Sequence, residues 1–147
     1  MTRLAHANSH RDLLVYKNAM DLSHRIFEMT RHFPKAETYS LTDQVLRSSR
    51  SIGAQIAEAW AKRRYERHFV SKLTDADGEQ HETQHWIEVA KDCGYINEYD
   101  AQALISDCKE IGRLLGGMIK KSAAFCNPSS VREPEPDYFV QNYDHQN

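Results

Sequence analysis

Leu41-Thr42-Asp43-Gln44-Val45-Leu46-Arg47-Ser48-Ser49-Arg50-Ser51-Ile52-Gly53-Ala54-Gln55-Ile56-Ala57-Glu58-Ala59 is the stretch that decides the fold. Leu41, Val45, Ile52 and Ile56 recur at helical spacing, so the segment reads as one amphipathic helix with a buried stripe. It then runs into Lys62-Arg63-Arg64 and Arg67. An apolar stripe ending in a cationic corner is how a bundle helix would present a phosphate-binding edge.

Working outward, Ser9-His10-Arg11-Asp12 has the form of a capping box with Asp in place of Glu. Tyr16, Met20, Ser23, Phe27 and Thr30 then step by four and three, flanked by Ala19, Leu22, Ile26 and Met29. This predicts a first helix over about 12–33, stopped by Pro34 because the residue before proline is pushed out of the helical region. Ser40 with Asp43 marks the next start, and the second helix spans about 40–61. Phe69, Leu73, Ala76, Thr83, Ile87 and Ala90 predict a third over about 66–93, ended by Cys93-Gly94. Asn97 followed by Asp100 caps a fourth over about 98–126, whose stripe of Leu104, Cys108, Ile111, Leu115, Met118, Ser122 and Phe125 is the cleanest heptad in the chain.

No segment sustains the two-residue alternation of a strand. Short connections between long amphipathic helices predict an all-α fold, an antiparallel up-down-up-down four-helix bundle. The bundle is expected over 1–126. Asn127-Pro128-Ser129-Ser130, Pro134 and Pro136 cannot continue a helix, so 127–147 is expected to be a tail, irregular or docked through Tyr138, Phe139 and Tyr143.

The chain has 147 residues, 40% hydrophobic and 27% charged, which suits one domain with a sizeable core. It has no run of about eighteen apolar residues and no apolar secretory leader, so no membrane partner and a cytoplasmic location are expected. Cys93, Cys108 and Cys126 lie on apolar stripes without a Cys-x-x-Cys pair and read as reduced core thiols. Net charge is −2, but residues 1–72 carry +6 and residues 73–147 carry −8. That asymmetry can orient the molecule on a polyanion or let copies associate head to tail; it can also be neutralised within the bundle.

The quoted stretch resembles the second helix of the 23S rRNA intervening-sequence protein family. Leu14-Val15-Tyr16-Lys17-Asn18-Ala19-Met20 is similar to that family's first-helix opening, Phe33-Pro34 to its first stop, and Gly94-Tyr95-Ile96 to its turn between helices three and four. The resemblance covers about 12–125. Leu46-Arg47 replaces the family's usual two arginines, Gln55 an asparagine and Ala59 a glycine. It implies a four-helix bundle and a closed homo-oligomeric ring, a pentamer, as in the related accessory protein of diversity-generating retroelements, which is associated with nucleic acid and a reverse transcriptase. For the intervening-sequence proteins themselves the resemblance carries over no established biochemical activity.

His81-Glu82-Thr83-Gln84-His85 fits the H-E-x-x-H pattern, in which two histidines one turn apart bind zinc and the glutamate is a general base. A zinc peptidase also needs a third ligand, for which Glu98 or Glu110 is available, and a substrate edge, for which no strand is in sight. His81, Glu82 and His85 therefore stand as minor metal candidates, and the plainer reading is a solvated helix face. Glu82 and His85 also match the Glu-x-x-His half of a di-iron bundle site, but no second such pair occurs. No cofactor and no catalytic residue are expected.

The basic corner is the stronger functional candidate. Arg47 and Arg50 are three residues apart on the second helix, and Lys62, Arg63, Arg64 and Arg67 crowd its junction with the third. Arginine forks suit phosphates, and Tyr65 or Trp60 can stack on a base. The expectation is a non-enzymatic, oligomeric bundle binding RNA or DNA along this edge. The alternative is a protein-only scaffold or adaptor ring, in which Arg47 or Arg50 pairs with Asp43 or Glu58 and the remaining cations are merely solvated.

Overall fold

Ser9 opens the first turn of the bundle by capping, as its sequence context requires. Its Oγ accepts from the Arg11 N–H at 3.2 Å, and Asp12 Oδ2 accepts from the N–H groups of Asn8 and Ser9 at 2.8 and 3.3 Å. The capped unit is a short 3-10 turn, His10–Asp12, and Leu13 in extended conformation separates it from the first α-helix. In the computed structural model, which describes residues 7–126, the α-helices are α1 Leu14–Thr30, α2 Leu41–Ala61, α3 Glu66–Asp92, α4 Glu98–Lys120 and α5 Ser122–Cys126. No strand occurs among the described residues. The tail expected over 127–147 lies outside them.

The four long helices form an antiparallel bundle in which each packs on its two neighbours: α1 on α2 and α4, α3 on α2 and α4. Paired contacts show the direction. Ser48 meets Thr83 and Glu58 meets Lys72 across α2 and α3, while Gln80 meets Gly112 and Lys91 meets Glu98 across α3 and α4. Arg25 of α1 is bonded to Asp107 of α4.

α4 buries every residue of its expected stripe that it contains: Leu104, Cys108, Ile111, Leu115 and Met118. The stripe continues into Ser122 and Phe125, but the helix does not. Lys121 (φ −108°, ψ 26°) breaks it, and the break tucks Phe125 onto Phe69, their ring centroids 5.7 Å apart. α3 buries Phe69, Leu73, Ala76, Thr83, Ile87 and Ala90 as expected, and Gln80 as well.

On α1 the periodicity resolves one residue out of phase. The core stripe is Val15, Ala19, Leu22, Ile26 and Thr30, whereas Met20 is 52% and Phe27 38% exposed. The two apolar stripes lie side by side on the helix, and the one that meets α2 and α4 wins. α1 also ends at Thr30, three residues short of Phe33, in a run of turns before Pro34.

The helix stops behave as their residues require. Gly94 has φ +78°, and the N–H groups of Gly94 and Tyr95 donate to the carbonyls of Lys91 and Ala90 at 2.9 Å each, a Schellman closure that needs a residue without Cβ strain. Asn97 Oδ1 accepts from the Asp100 N–H at 2.7 Å. Ser40 precedes α2 without a side-chain cap bond. At this end Tyr95 donates its hydroxyl to Glu37 Oε2 at 2.9 Å and lies 5.4 Å from the Phe33 ring, joining the α1–α2 connection to the α3–α4 turn.

A polar layer crosses the middle of the core. Ser48, Ser49, Gln80 and Thr83 are all buried. The hydroxyls of Thr83 and Ser48 are 2.9 Å apart, and each can also donate back to its own helix, Thr83 to the Glu79 carbonyl at 2.8 Å and Ser48 to that of Val45 at 3.4 Å. Gln80 donates to Asp77 Oδ1 at 2.9 Å and accepts from Gln84 at 2.7 Å. Its amide passes over Gly112 of α4, where a Cβ would stand 2.7 Å from Gln80 Nε2.

Of the three thiols read as core, only Cys108 is fully so. Burial pushes it up to about 12. Cys93 is exposed because it is the residue closing α3, and Cys126 is half-buried at the end of α5. None is paired.

Candidate nucleic-acid interface

The basic corner is the hairpin at one end of the bundle, where α2 runs into α3 through only four residues. Lys62 closes α2, its N–H reaching the carbonyls of Glu58 and Ala59, and the N–H of Tyr65 turns back to the carbonyl of Lys62 at 3.0 Å. So tight a turn holds the side chains of Lys62, Arg64 and Arg67 within a few residues of one another on the outside. All three are exposed, and none forms an ion pair among the described residues. Tyr65, 57% exposed, stands among them with the Arg64 guanidinium 5.8 Å and the His68 ring 5.4 Å from its ring centroid.

Arg63 is different. Its guanidinium carbon lies 3.5 Å from the centroid of Trp60, and its Nε donates to the Trp60 carbonyl at 3.0 Å. Burial lowers its pKa from the ordinary arginine value, opposed by the nearby Cys126. Arg63 is thus a lid on Trp60, with a cation–π contact in place of water. Trp60 is 8% exposed and does not offer a face to a base, contrary to the expectation of stacking there. Tyr65 is the only aromatic of the pair that does.

Arg47 and Arg50 do not join this cluster. They lie at least ten residues back along α2, about 15 Å or more at helical rise. Arg47 is 3.8 Å from Asp43, and its charge reaches Glu79 of α3. Arg50 leans the other way, 5.9 Å from the Phe27 ring of α1. The acidic partner anticipated for Arg47, Asp43, is present, while Glu58 pairs with Lys72 at 3.1 Å instead.

The H-E-x-x-H segment lies on the outer face of α3 with His81, Glu82 and His85 exposed. His81 is 3.8 Å from Asp77, His85 packs edge-on to Trp86 at 4.7 Å, and the Trp86 indole points to Glu82 at 3.4 Å. Glu98 is bound to Lys91 at 2.7 Å and Glu110 to Arg113 at 2.7 Å, so the two acids considered as a third ligand are held elsewhere. Among the described residues no three metal-ligating side chains converge.

Two site features escape sequence reasoning. Nothing in Lys62-Arg63-Arg64 marks the middle residue as the inward one, although a tryptophan three residues before an arginine on a helix is the available signal. The exit of the chain beside this hairpin depends on the α4–α5 break and has no sequence mark.

These features define a helical-bundle protein with a cationic hairpin at one end. The family model of the 23S rRNA-intervening sequence protein matches residues 11–117, and the chain belongs to that family. Its structure is similar to the crystal structure of a protein of unknown function from the S23 ribosomal protein family of Bacteroides thetaiotaomicron, at 30% identity and a TM-score of 0.67, over 73% of this chain and 96% of that one. No curated protein is similar to it in sequence. No helix among the described residues is long and apolar enough to cross a membrane.

Proposed function

We propose that the protein is a non-enzymatic, oligomeric, cytoplasmic bundle that binds RNA through the α2–α3 hairpin. The observation that carries the reading is the trio Lys62, Arg64 and Arg67, exposed and without carboxylate partners among the described residues, beside the exposed ring of Tyr65. Unpaired cations release counterions from a phosphate chain when they bind it, and an aromatic among them adds base stacking of about 1–3 kcal/mol. Single-stranded nucleic acid fits better than duplex, because a stacking ring needs an unstacked base.

Self-association is supported by the second apolar stripe of α1, where Met20 and Phe27 face outward. Copies arranged in a ring would repeat the hairpin and multiply a weak single contact. The unpaired thiols fit a reducing compartment.

The test is reversal of Lys62, Arg64 and Arg67 to glutamate, leaving Arg63 in place on Trp60. Binding of a labelled single-stranded RNA, followed by anisotropy across a salt series, should be lost while the helical circular dichroism is unchanged. Binding should weaken with salt with a log–log slope of about −2 for each hairpin engaged, from about −0.7 per phosphate neutralised. Unchanged affinity in the variant, or a parent protein that assembles yet binds no RNA at low salt, would leave the protein-only scaffold as the better reading.

A further inference from the structure

The described chain ends on the basic hairpin. Ser122 Oγ donates to Glu66 Oε1 at 2.6 Å, Phe125 stacks on Phe69, and Cys126 is close enough to Arg63 for each to shift the other's pKa. Cys126, the last described residue, therefore lies beside the hairpin that carries Lys62, Arg64 and Arg67. The segment 127–147 carries Glu133, Glu135, Asp137 and Asp144 against the single Arg132, with Tyr138, Phe139 and Tyr143 following the first acids.

We propose that the α2–α3 hairpin is the docking surface of the chain's own C-terminal segment, residues 133–139, which competes with RNA phosphates for the same cations. Three carboxylates at alternate positions, Glu133, Glu135 and Asp137, match three cations that form no ion pair among the described residues. The prolines between them, Pro134 and Pro136, fix φ and reduce the entropy lost on ordering. The aromatics have a place to go. Glu66, Arg67, Val70 and Ser71 line a shallow notch of about 410 Å³ on the outer side of α3, next to the cations.

Reach is not limiting. The six residues from Asn127 to Arg132 can span roughly 20 Å, since each extended residue covers about 3.3–3.6 Å. Tethering so close supplies an effective concentration in the millimolar range, so a contact with only millimolar intrinsic affinity still occupies the hairpin for much of the time. Apparent RNA affinity then falls in proportion to the fraction of molecules whose hairpin is free.

The competition rests on the RNA-binding reading; the docking does not. The test uses the full chain, comparing the parent with the variant E133Q/E135Q/D137N. A control variant, D21N/E88Q/D92N, removes three acids exposed elsewhere on the bundle. Amide chemical shifts at low salt read the contact, and anisotropy of a labelled oligouridylate reads the competition. The expected result is a set of shift changes centred on residues 62–71 in the tail variant alone, with RNA binding about three- to tenfold tighter than the parent and a steeper salt dependence.

Shift changes at the hairpin with no RNA binding by any of the proteins would uphold the docking and sink the RNA reading. Absence of shift changes at 62–71 would overturn the docking even if RNA bound more tightly. Equal tightening in the control would also overturn it, as an effect of net charge alone. Hairpin shift changes that disappear on dilution would place the segment on a neighbouring copy and overturn the intrachain assignment.

Discussion

Replacing Gly112 with alanine should destabilise the bundle, against the ordinary direction for a helix interior. A Cβ there would stand 2.7 Å from Gln80 Nε2 and 3.3 Å from Asp77 Oδ1. The Gln80 amide is the far end of a flexible side chain, but it is 2% exposed and held by Asp77 on one side and Gln84 on the other. Moving it breaks both bonds, at about 0.5–1.5 kcal/mol each, and leaves a buried amide poorly satisfied at a cost of about 1–3 kcal/mol. The gain from replacing a helical glycine is about 0.8–1 kcal/mol. The net is a loss of about 1–5 kcal/mol, or roughly 3–15 °C in Tm for a domain of this size.

The sign is tested by a double-mutant cycle in urea. In a Gln80→Ala background the obstruction is gone, so Gly112→Ala should there become stabilising by about 0.8–1 kcal/mol. If Gly112→Ala has the same sign in both backgrounds, the amide of Gln80 is not what reserves the space, and the reasoning fails.

Arg63→Ala should expose Trp60, shifting its fluorescence to the red and costing about 1–2 kcal/mol of stability from the lost cation–π and stem packing; RNA affinity should change far less than on removing Arg64 or Arg67. Leu115→Ala should cost about 2–5 kcal/mol by chemical denaturation, since the side chain is wholly buried in the α4 seam. Cys108 gives a pH signature. Its folded pKa is raised from 9.0 to about 12, so its stabilising contribution is complete below pH 9 and is lost as the unfolded thiol ionises above it. Between pH 9 and 10.5 the parent should lose about 2 kcal/mol that a Cys108→Ala variant does not, measured as the difference between their stability–pH curves. At neutral pH a thiol reagent should label Cys93 quickly and Cys108 only on unfolding.

The α-helical architecture is legible wherever one chemical signal decides it. The heptad of α4 has no competing stripe, Gly94 is the residue that a left-handed closure demands, and Asn97 is a strong cap in front of acids. α1 is harder, because Tyr16, Met20 and Phe27 repeat at the same spacing as Ala19, Leu22 and Ile26. Periodicity fixes the type of element, and only the packing of α2 and α4 selects the face. The buried Gln80 was hidden by its polarity, although it fills the gap between Ala76 and Thr83 in the very stripe assigned to the core. At the basic corner the cluster is evident from composition along the chain. That Arg63 faces inward while its neighbours face out depends on the backbone turn through Lys62, for which Trp60 three residues earlier is the one sequence signal.

Four amphipathic rods with matching oily seams can slide by two turns and still bury most of their apolar surface, so hydrophobicity alone leaves several alignments close in energy. The slot where Gln80 crosses α4 removes that ambiguity. Displacing α4 by one heptad would present Ile105 or Ile119 where only a hydrogen atom now fits. One glycine therefore indexes the assembly, and by indexing it decides that the end of α5 arrives at the arginine hairpin instead of a helical repeat away.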